Sequence, residues 1–360
     1  MLNKSSKEVL SKLTEMGSDI SGQIERGEFP RLKLPSRTTS NIVFDEKLNQ
    51  FILGDQRAER SASNIKQIRS LTQLLWVASF AKRLVNEGKS STLRDLYYHS
   101  LNYGIKFREQ LESDDAVTDL EGLLMEPRET FNIFPKERSA IFGDLAIEYT
   151  TPETHKGKKA NLSSNPDGVM VGLSVAQADF KECKADKVFV IEKNAVFRRF
   201  IEERVYEKFN SILIDTAGQA PRLARLLIRR LNLELGLPVY LLTDADPWGM
   251  HIAMVIIRGS ANAAHLRELT TSKAKWVGLW ATDMKRFNLP SFPLTKLDEQ
   301  RIRLLEADMR YRDFEWQSEL QEFKKTRRRT ELESFSAHGL TAIVDKYLPK
   351  KLKMIEDMGS

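Results

Sequence analysis

Three short apolar runs in the second half of the chain constrain its fold more than any other feature. They occupy residues 187–191, 211–214 and 239–243, and each has the length and continuous hydrophobicity of a buried strand. Residues 222–235, between the second and third runs, have the apolar periodicity of a helix, and Gly236 follows as a stop signal. Because strands that alternate with helices form crossover units, we expect a parallel α/β sheet.

Acidic residues follow two of these runs, at the point where each predicted strand ends. Glu192 follows the first run, and Asp244 and Asp246 follow the third in the sequence Asp-Ala-Asp-Pro-Trp-Gly. Ligands bind at the carboxyl ends of strands in open parallel sheets, and three carboxylates there suit a hard cation such as Mg²⁺. An acid after a strand is also a common helix N-cap, and Asp before Pro and Gly is common in turns. The pattern therefore predicts either a Mg²⁺ site or two capped turns.

Two consecutive helices are predicted in the first half of the chain. Apolar residues recur at helical spacing from Ile65 to Glu87, and Gly88 closes that helix. The sequence Thr-Leu-Arg-Asp at 92–95 has capping-box form and begins the next helix, which ends by Gly104. The apolar residues of this second helix share one face, which we expect to be buried: Leu93, Leu96, Tyr97 and Leu101.

Tyr98 lies off this apolar stripe, because each helical residue turns by about 100°. It falls one turn beyond Arg94 on the polar flank. A tyrosine attacks a phosphodiester only as phenolate, which costs roughly 4 kcal/mol at pH 7, and a neighbouring guanidinium favours that charged form. Tyr98 is therefore a candidate nucleophile with Arg94 as its partner. The alternative is an ordinary half-exposed aromatic residue.

The same half of the chain has the pattern of a winged helix. A helical stretch at 116–124 and a strand-like stretch at 132–149 follow the two helices. Such a module would lay Arg94 and Tyr98 along a DNA backbone. We predict four regions in chain order: an N-terminal arm or docking segment over 1–64, a winged-helix DNA-binding domain over 65–150, a linker over 151–184, and a metal-binding α/β domain with C-terminal helices over 185–360.

Charge and cysteine content restrict the class of protein. The 360 residues include 56 basic and 50 acidic side chains, and the net charge of +6 permits a nucleic-acid partner without requiring one. Basic runs at 324–329 and 350–353 are either phosphate contacts or solvated surface. The lone Cys183 excludes an intramolecular disulfide, and no apolar run approaches the ~20 residues of a membrane span. We expect a cytoplasmic, nucleoid-associated protein with no membrane partner.

Several motifs, taken together, resemble one family. They are Arg-Asp-Leu-Tyr-Tyr at 94–98, Ile-Phe-Gly-Asp-Leu at 141–145, Glu-Lys at 192–193 and Leu-Thr-Asp-Ala-Asp-Pro-Trp-Gly at 242–249. In this order they resemble the A subunit of archaeal DNA topoisomerase VI, whose family also contains the meiotic double-strand-break transesterase. The resemblance runs from about Leu34 to the end of the chain.

The resemblance implies a type IIB topoisomerase in which a winged-helix domain precedes a Toprim domain with a Rossmann-like parallel sheet. Tyr98, the second tyrosine of its pair, would form the covalent bond, and we expect Arg94 on the scissile phosphate. Glu192, Asp244 and Asp246 would hold Mg²⁺. The resemblance also implies a homodimer acting on double-stranded DNA with an ATPase B subunit, in an A2B2 heterotetramer. The chain has no Gly-x-x-x-x-Gly-Lys-Ser/Thr loop, so the partner would bind ATP.

One loop departs from the family pattern. Residues 216–219 are Thr-Ala-Gly-Gln, where the family usually has Gly-Lys-Gly. We therefore expect no lysine contact to phosphate from this loop, and Arg222 nearby is a candidate for part of that role.

Two other functions are compatible with these residues. A Toprim-type nuclease or primase-like enzyme would use metal-activated water and no tyrosyl intermediate. A non-catalytic DNA-binding module would bind DNA without cleaving it.

Overall fold

The computed structural model describes residues 4–135 and 137–359, which form two compact units. The first unit contains the described residues of Met1–Val43, Phe51–Lys136 and Ala261–Arg267. The second contains those of Phe44–Gln50, Glu137–Ser260 and Glu268–Ser360. Each unit is therefore built from three separate stretches of chain.

The elements of residues 4–135 are mostly helical. The helices are α1 (Lys4–Glu25), α2 (Ile65–Glu87), α3 (Leu93–Leu101) and α4 (Gln110–Leu124). The strands are β1 (Arg31–Pro35), β2 (Ile42–Asp45), β3 (Gln50–Leu53), β4 (Arg57–Ser61), β5 (Ser91–Thr92) and β6 (Ile133–Phe134). Strands β1 and β4 pair antiparallel, whereas β5 and β6 pair in parallel.

The two predicted helices of the first unit begin where expected, and α2 also ends where expected, whereas α3 ends at Leu101 rather than at Gly104. The side chain of Asn64 caps α2 by accepting a hydrogen bond from the backbone N–H of Lys66. Gly88 ends α2 in the left-handed conformation, with φ of 61°. The capping box that begins α3 is also present, since Thr92 and Asp95 exchange hydrogen bonds between side chain and backbone. Local sequence therefore sets where these helices begin and where α2 ends.

The N-terminal segment is not separate from the core of the first unit. Helix α1 buries Val9, Leu13 and Ile20, which belong to the same hydrophobic cluster as Leu74 of α2 and Leu120 of α4. The expectation of an arm outside a core is wrong for this helix. Its apolar residues recur at helical spacing, and they bury a face rather than extend from the domain.

The elements of residues 137–359 form an α/β unit with further helices after it. Its strands are β7 (Ala140–Phe142), β8 (Leu145–Glu148), β9 (Lys159–Asn161), β10 (Val169–Met170), β11 (Asp179–Cys183), β12 (Lys187–Ile191), β13 (Ser211–Asp215), β14 (Val239–Leu242), β15 (Lys275–Gly278), β16 (Phe292–Pro293) and β17 (Arg328–Arg329). Its helices are α5 (Leu173–Ala176), α6 (Asn194–Glu202), α7 (Val205–Lys208), α8 (Arg222–Glu234), α9 (Pro247–Arg258), α10 (Ala281–Arg286), α11 (Lys296–Glu306), α12 (Phe314–Thr326) and α13 (Leu348–Gly359). Throughout 4–135 and 137–359, every helix falls short of the length and apolarity that crossing a membrane requires.

The six-stranded sheet of the second unit has the order β10-β7-β13-β12-β14-β15. Strand β12 is parallel to both β13 and β14, and β14 is parallel to β15. The predicted parallel sheet is confirmed for β12, β13 and β14, and β15 adds a parallel strand that the sequence did not predict. Because β12 and β14 are neighbours in register, with Ile191 opposite Leu242, their carboxyl ends meet at one edge.

The strand-like stretch over 132–149 is divided between the two units. Of its three strands, β6 alone lies in the first unit. Strand β7 pairs antiparallel with β13, and β8 pairs with β9 and β11. The boundary falls at residue 136 rather than at the expected 150. The expected linker over 151–184 contains β9, β10, α5 and β11, because its glycines and prolines form turns between short strands. The winged helix of the first unit stays a prediction.

Candidate functional site

Helix α3 presents Arg94 and Tyr98 on its exposed face. The side chain of Tyr98 is 54% exposed, whereas Leu96 is fully buried and Tyr97 packs against the core. The predicted separation of the two tyrosines is therefore confirmed. Leu101 is 53% exposed, so its place in the buried stripe is wrong. It is the last residue of α3, and the core does not extend that far.

Arg94 and Tyr98 interact directly. The guanidinium carbon lies 5.7 Å from the centre of the Tyr98 ring. A hydrogen bond with the Tyr98 side chain raises the pKa of Arg94 above its ordinary value. The guanidinium is fully exposed, so it is free to contact an anion while it holds the phenol.

The opposite side of α3 is fastened to α2 by a polar and aromatic cluster. The Nη2 atom of Arg83 lies 2.6 Å from Nε2 of His99, and its Nη1 donates to the hydroxyl of Tyr103 over 3.1 Å. Phe80 stacks on Trp76 and also contacts His99. Burial and the charge of Arg83 lower the pKa of His99. This cluster fixes the orientation of α3 within the first unit.

The sheet register of the second unit brings Glu192 and Asp244 together. Glu192 directly follows β12, and Asp244 comes shortly after the end of β14. The backbone N–H of Asp244 donates to Oε2 of Glu192 over 3.0 Å. The Oδ1 atom of Asp244 accepts a hydrogen bond of 2.9 Å from the backbone N–H of Leu332. The two acids therefore share one edge of the sheet, as the sequence predicts.

Asp246 is held by the helix that follows it. Its Oδ1 atom caps α9 by accepting from the backbone N–H of Gly249 over 2.6 Å, and Pro247 occupies the first turn. A Cβ atom on Gly249 would lie 2.1 Å from the carbonyl oxygen of Asp244. Only glycine allows the loop to close this tightly. The capped turn that the sequence offered as an alternative to a Mg²⁺ site is therefore present, and it lies beside the other two acids.

The three carboxylates have too little positive charge around them. Burial, together with the charges of Asp244 and Asp246, raises the pKa of Glu192 to about 8. Burial and the charge of Asp246 also raise the pKa of Asp244 to about 6, against the opposing effects of Leu332 and Lys193. Burial raises the pKa of Asp246 as well. Such a group of acids favours either a proton or a cation.

Lys193 is one cation at this edge, and the sequence placed it in a motif without indicating a role for it. Its Nζ atom lies 3.2 Å from Oδ2 of Asp244, 3.1 Å from Oε2 of Glu331 and 3.7 Å from Oε2 of Glu333. Burial lowers the pKa of Lys193, but the charges of Asp244 and Glu331 outweigh burial and raise it above the ordinary value. The ammonium group therefore stays charged.

Arg329 is a second cation that sequence reasoning did not place here. Its Nη1 atom lies 3.7 Å from Oδ2 of Asp246, and its Nε lies 3.6 Å from Oδ2 of Asp298. The 324–329 run was a candidate for phosphate contact, but Lys324 also pairs with Glu306, over 2.8 Å. These basic side chains are thus engaged with acids of their own chain.

No metal site is preformed within 4–135 and 137–359. Among these residues, no three or more His, Cys, Asp or Glu side chains are already arranged to hold an ion. The donor set at the sheet edge still fits Mg²⁺, because it consists of carboxylate oxygens whose charges are incompletely balanced.

The loop that departs from the family pattern closes on itself beside Glu192. The backbone N–H of Gly218 donates to the carbonyl of Glu192 over 2.9 Å, and that of Ala217 donates to Oδ1 of Asp215 over 2.9 Å. Arg222 begins α8 immediately afterwards. The loop therefore supports the backbone of the acidic edge.

Two regions of the chain match known families. Residues 187–352 match the family of the Toprim domain of the topoisomerase 6 A subunit and Spo11. Residues 69–133 match the family described as "Type IIB DNA topoisomerase". The first match contains the acidic edge, and the second contains Arg94 and Tyr98.

Individual relatives are similar over nearly the whole chain. The A subunit of type 2 DNA topoisomerase 6 from Methanothermobacter thermautotrophicus is 38% identical over 350 residues, which cover 97% of this chain and 98% of that protein. The protein of the same name from Archaeoglobus fulgidus is 34% identical, with 95% and 96% covered. That from Methanosarcina barkeri is 33% identical, with 95% and 94% covered. The chain therefore belongs to the family of the A subunits of type 2 DNA topoisomerase 6, whose members are type IIB topoisomerases.

Proposed function

We propose that this chain is the DNA-cleaving and rejoining subunit of an ATP-dependent type IIB DNA topoisomerase. Tyr98 of each of two chains cleaves one DNA strand and forms a 5′-phosphotyrosyl link, and a second duplex passes through the resulting double-strand break. The observation that carries the proposal is the exposed Tyr98 with Arg94 bonded to it on a fixed helix. The names of the relatives support the same reaction.

In this reaction the phenol oxygen of Tyr98 forms a bond to phosphorus while the bond from phosphorus to the 3′ oxygen breaks. The phenol loses its proton, and the departing 3′ oxygen gains one. Arg94 contacts the phenol and binds the phosphate oxygens. Because one phosphate ester replaces another, the reverse attack by the 3′ hydroxyl rejoins the strand without hydrolysis.

Glu192, Asp244 and Asp246 would hold Mg²⁺ at the sheet edge. Their raised pKa values support this role, since a cation would relieve the repulsion among buried carboxylates. When bound, Mg²⁺ would stabilise charge on the oxygens of the scissile phosphate. The protein's own part is to fix the three carboxylates by strand register and by the capped turn at Gly249.

Family membership also supports a proposal about the partners of the chain. We propose that the chain acts as a homodimer on double-stranded DNA, and that an ATPase B subunit joins it in an A2B2 complex. The relatives are named as A subunits, which supports a second kind of subunit in the complex. ATP would then bind to the B subunit, where it would drive strand passage rather than the ester exchange.

The experiment that tests the proposal is a cleavage assay with Tyr98→Phe. The chain is incubated with its B subunit, Mg²⁺, a non-hydrolysable ATP analogue and supercoiled plasmid, and the reaction is stopped with detergent. Linear DNA with protein on its 5′ ends is expected for the wild type and is absent for Tyr98→Phe. Tyr97→Phe is the matched control, because Tyr97 is the adjacent tyrosine and packs against the core.

Other outcomes would identify the other two functions. Cleavage that persists in Tyr98→Phe without a protein adduct would indicate a nuclease that uses metal-activated water. Binding without cleavage by the wild-type complex would indicate a DNA-binding module. Loss of the adduct in Tyr97→Phe alone would move the nucleophile to Tyr97.

A further inference from the structure

Residues 328–333, here called the strap, lie against the acidic loop of the second unit. The backbone N–H of Thr330 donates to the carbonyl of Ala245 over 3.0 Å. The backbone N–H of Leu332 donates to Oδ1 of Asp244 over 2.9 Å. Because the strap donates both hydrogen bonds from its backbone, it forms one side of the acidic site.

The strap carries two carboxylates that share Lys193 with Asp244. Glu331 and Glu333 lie 3.1 and 3.7 Å from the ammonium of Lys193, and Asp244 lies 3.2 Å from it. The carboxylate of Asp244 is almost completely buried, with 6% of its side chain exposed, whereas those of Glu331 and Glu333 are 43% and 49% exposed. Lys193 therefore has one buried partner and two solvated ones.

A divalent cation at Asp244 would repel an ammonium group 3.2 Å from the same carboxylate. The four-carbon stem of a lysine allows its ammonium to move without movement of the backbone. Glu331 and Glu333 provide the place to which it can retreat, since both already lie within 4 Å. The ammonium group of Lys193 would therefore lose the carboxylate of Asp244 as a partner and keep those of Glu331 and Glu333.

We infer that Lys193 is the internal counter-ion of Asp244, and that a divalent cation displaces it onto Glu331 and Glu333. Lys193 is a positioning residue that acts through Asp244, and the two strap glutamates set how readily it leaves. This inference rests on the proposed role of the carboxylates in binding Mg²⁺. It adds that the strap and Lys193 tune the affinity for the ion.

The first test measures Mg²⁺ binding to the full chain by calorimetry, without DNA. Lys193→Gln removes the competing charge, and we expect it to bind Mg²⁺ about tenfold more tightly. The same variant should melt at a lower temperature than the wild type in EDTA, and the difference should shrink when Mg²⁺ is added. Lys193→Arg keeps the charge and should behave as the wild type. Lys208→Gln is the control, because Lys208 also lies between two acids but away from Asp244.

The second test addresses the strap. The double variant Glu331→Gln/Glu333→Gln removes the acids that receive Lys193, and we expect Mg²⁺ to bind about threefold to tenfold more weakly. In the Lys193→Gln background the same pair of changes should have almost no effect. This non-additivity distinguishes action through Lys193 from a general loss of negative charge near the site.

Unchanged or weaker Mg²⁺ binding in Lys193→Gln would overturn the inference. Loss of DNA affinity in that variant with unchanged Mg²⁺ binding would overturn it in favour of a phosphate contact. Asp244→Asn separates this failure from failure of the proposed metal role. If Asp244→Asn binds Mg²⁺ as the wild type does, the metal assignment itself fails. If it abolishes binding while Lys193→Gln matches the wild type, only the counter-ion inference fails.

Discussion

The backbone N–H of Asp244 donates a hydrogen bond to Oε2 of Glu192 over 3.0 Å. Glu192 follows β12 and Asp244 follows β14, and the register that sets Ile191 opposite Leu242 places them side by side. Because the donor is a backbone group, the side chain of Asp244 remains free for Leu332 and Lys193. Sheet register, rather than a flexible loop, thus assembles the acidic pair.

The contribution of Glu192 to stability without metal should fall as pH rises. Its pKa is raised from 4.5 to about 8 in the folded chain, so between these values the folded state binds more protons than the unfolded state. The stabilisation is present below pH 4.5 and is lost as pH rises through 8. Melting temperatures in EDTA from pH 5 to pH 8.5 should therefore decline more steeply for the wild type than for Glu192→Gln. Parallel curves for the two proteins would contradict this, and Glu202→Gln serves as an exposed control.

Gly249→Ala should be strongly destabilising. The added methyl group would lie 2.1 Å from the carbonyl oxygen of Asp244, and backbone must move to admit it. We expect a loss of about 3 kcal/mol, measured by urea unfolding followed by circular dichroism. Gly17→Ala is the matched control, because Gly17 lies in α1 with nothing within 4 Å of a new Cβ. That change should stabilise by about 0.5 kcal/mol, and equal effects of the two would refute the steric argument.

Arg94→Ala should slow DNA cleavage without affecting folding. The guanidinium is fully exposed and contacts Tyr98 on the surface of α3, so its removal leaves the core intact. We expect the single-turnover cleavage rate to fall by about 100-fold, as when one charge-stabilising donor is removed from an active site. Arg94→Lys should recover part of the rate because it restores the charge but not the forked donor geometry. A wild-type rate in Arg94→Ala would exclude a role in the reaction.

Lys351→Met should lower the free energy of unfolding substantially, although Lys351 belongs to the basic run at 350–353. Its ammonium is fully buried, lies 2.8 Å from Oδ2 of Asp283 and lies 3.2 Å from the centre of the Trp280 ring. The change removes the fully buried cation of this ion pair and leaves Asp283 with the half-exposed Arg286, 3.4 Å away, so we expect a loss of about 3 kcal/mol. Chemical denaturation should show this loss, whereas Lys353→Met, at an exposed position of the same helix, should change stability little. Similar values for both variants would contradict the assignment.

The parallel core and the exposure of Tyr98 could be predicted because each depends on local pattern. Continuous apolar runs identified β12, β13 and β14, and helical periodicity separated Tyr98 from the buried Leu96. The roles proposed for the site residues required the family resemblance, since the spacing of Asp244 and Asp246 alone also describes a capped turn.

The rest of the site depends on contacts between residues distant in sequence. Lys193 meets Glu331 across 138 positions, and no local pattern connects them. Strand β7 has only three residues, and its length and composition do not indicate that it joins the sheet of the second unit. Lys351 was grouped with exposed lysines because composition does not reveal that α13 turns it toward Asp283. The sequence did not predict these three features because each depends on tertiary packing.

The first unit cannot finish folding until Ala261–Arg267 have been synthesised, because these residues are part of it. His265 in this stretch is buried, with its Nε2 3.6 Å from Oε2 of the equally buried Glu121 in α4. A ribosome synthesises α4 long before residue 265, and the strands β12 to β14 emerge in between. The first unit therefore cannot complete its interior during early translation, and a fragment that stops near residue 135 would lack the buried His265.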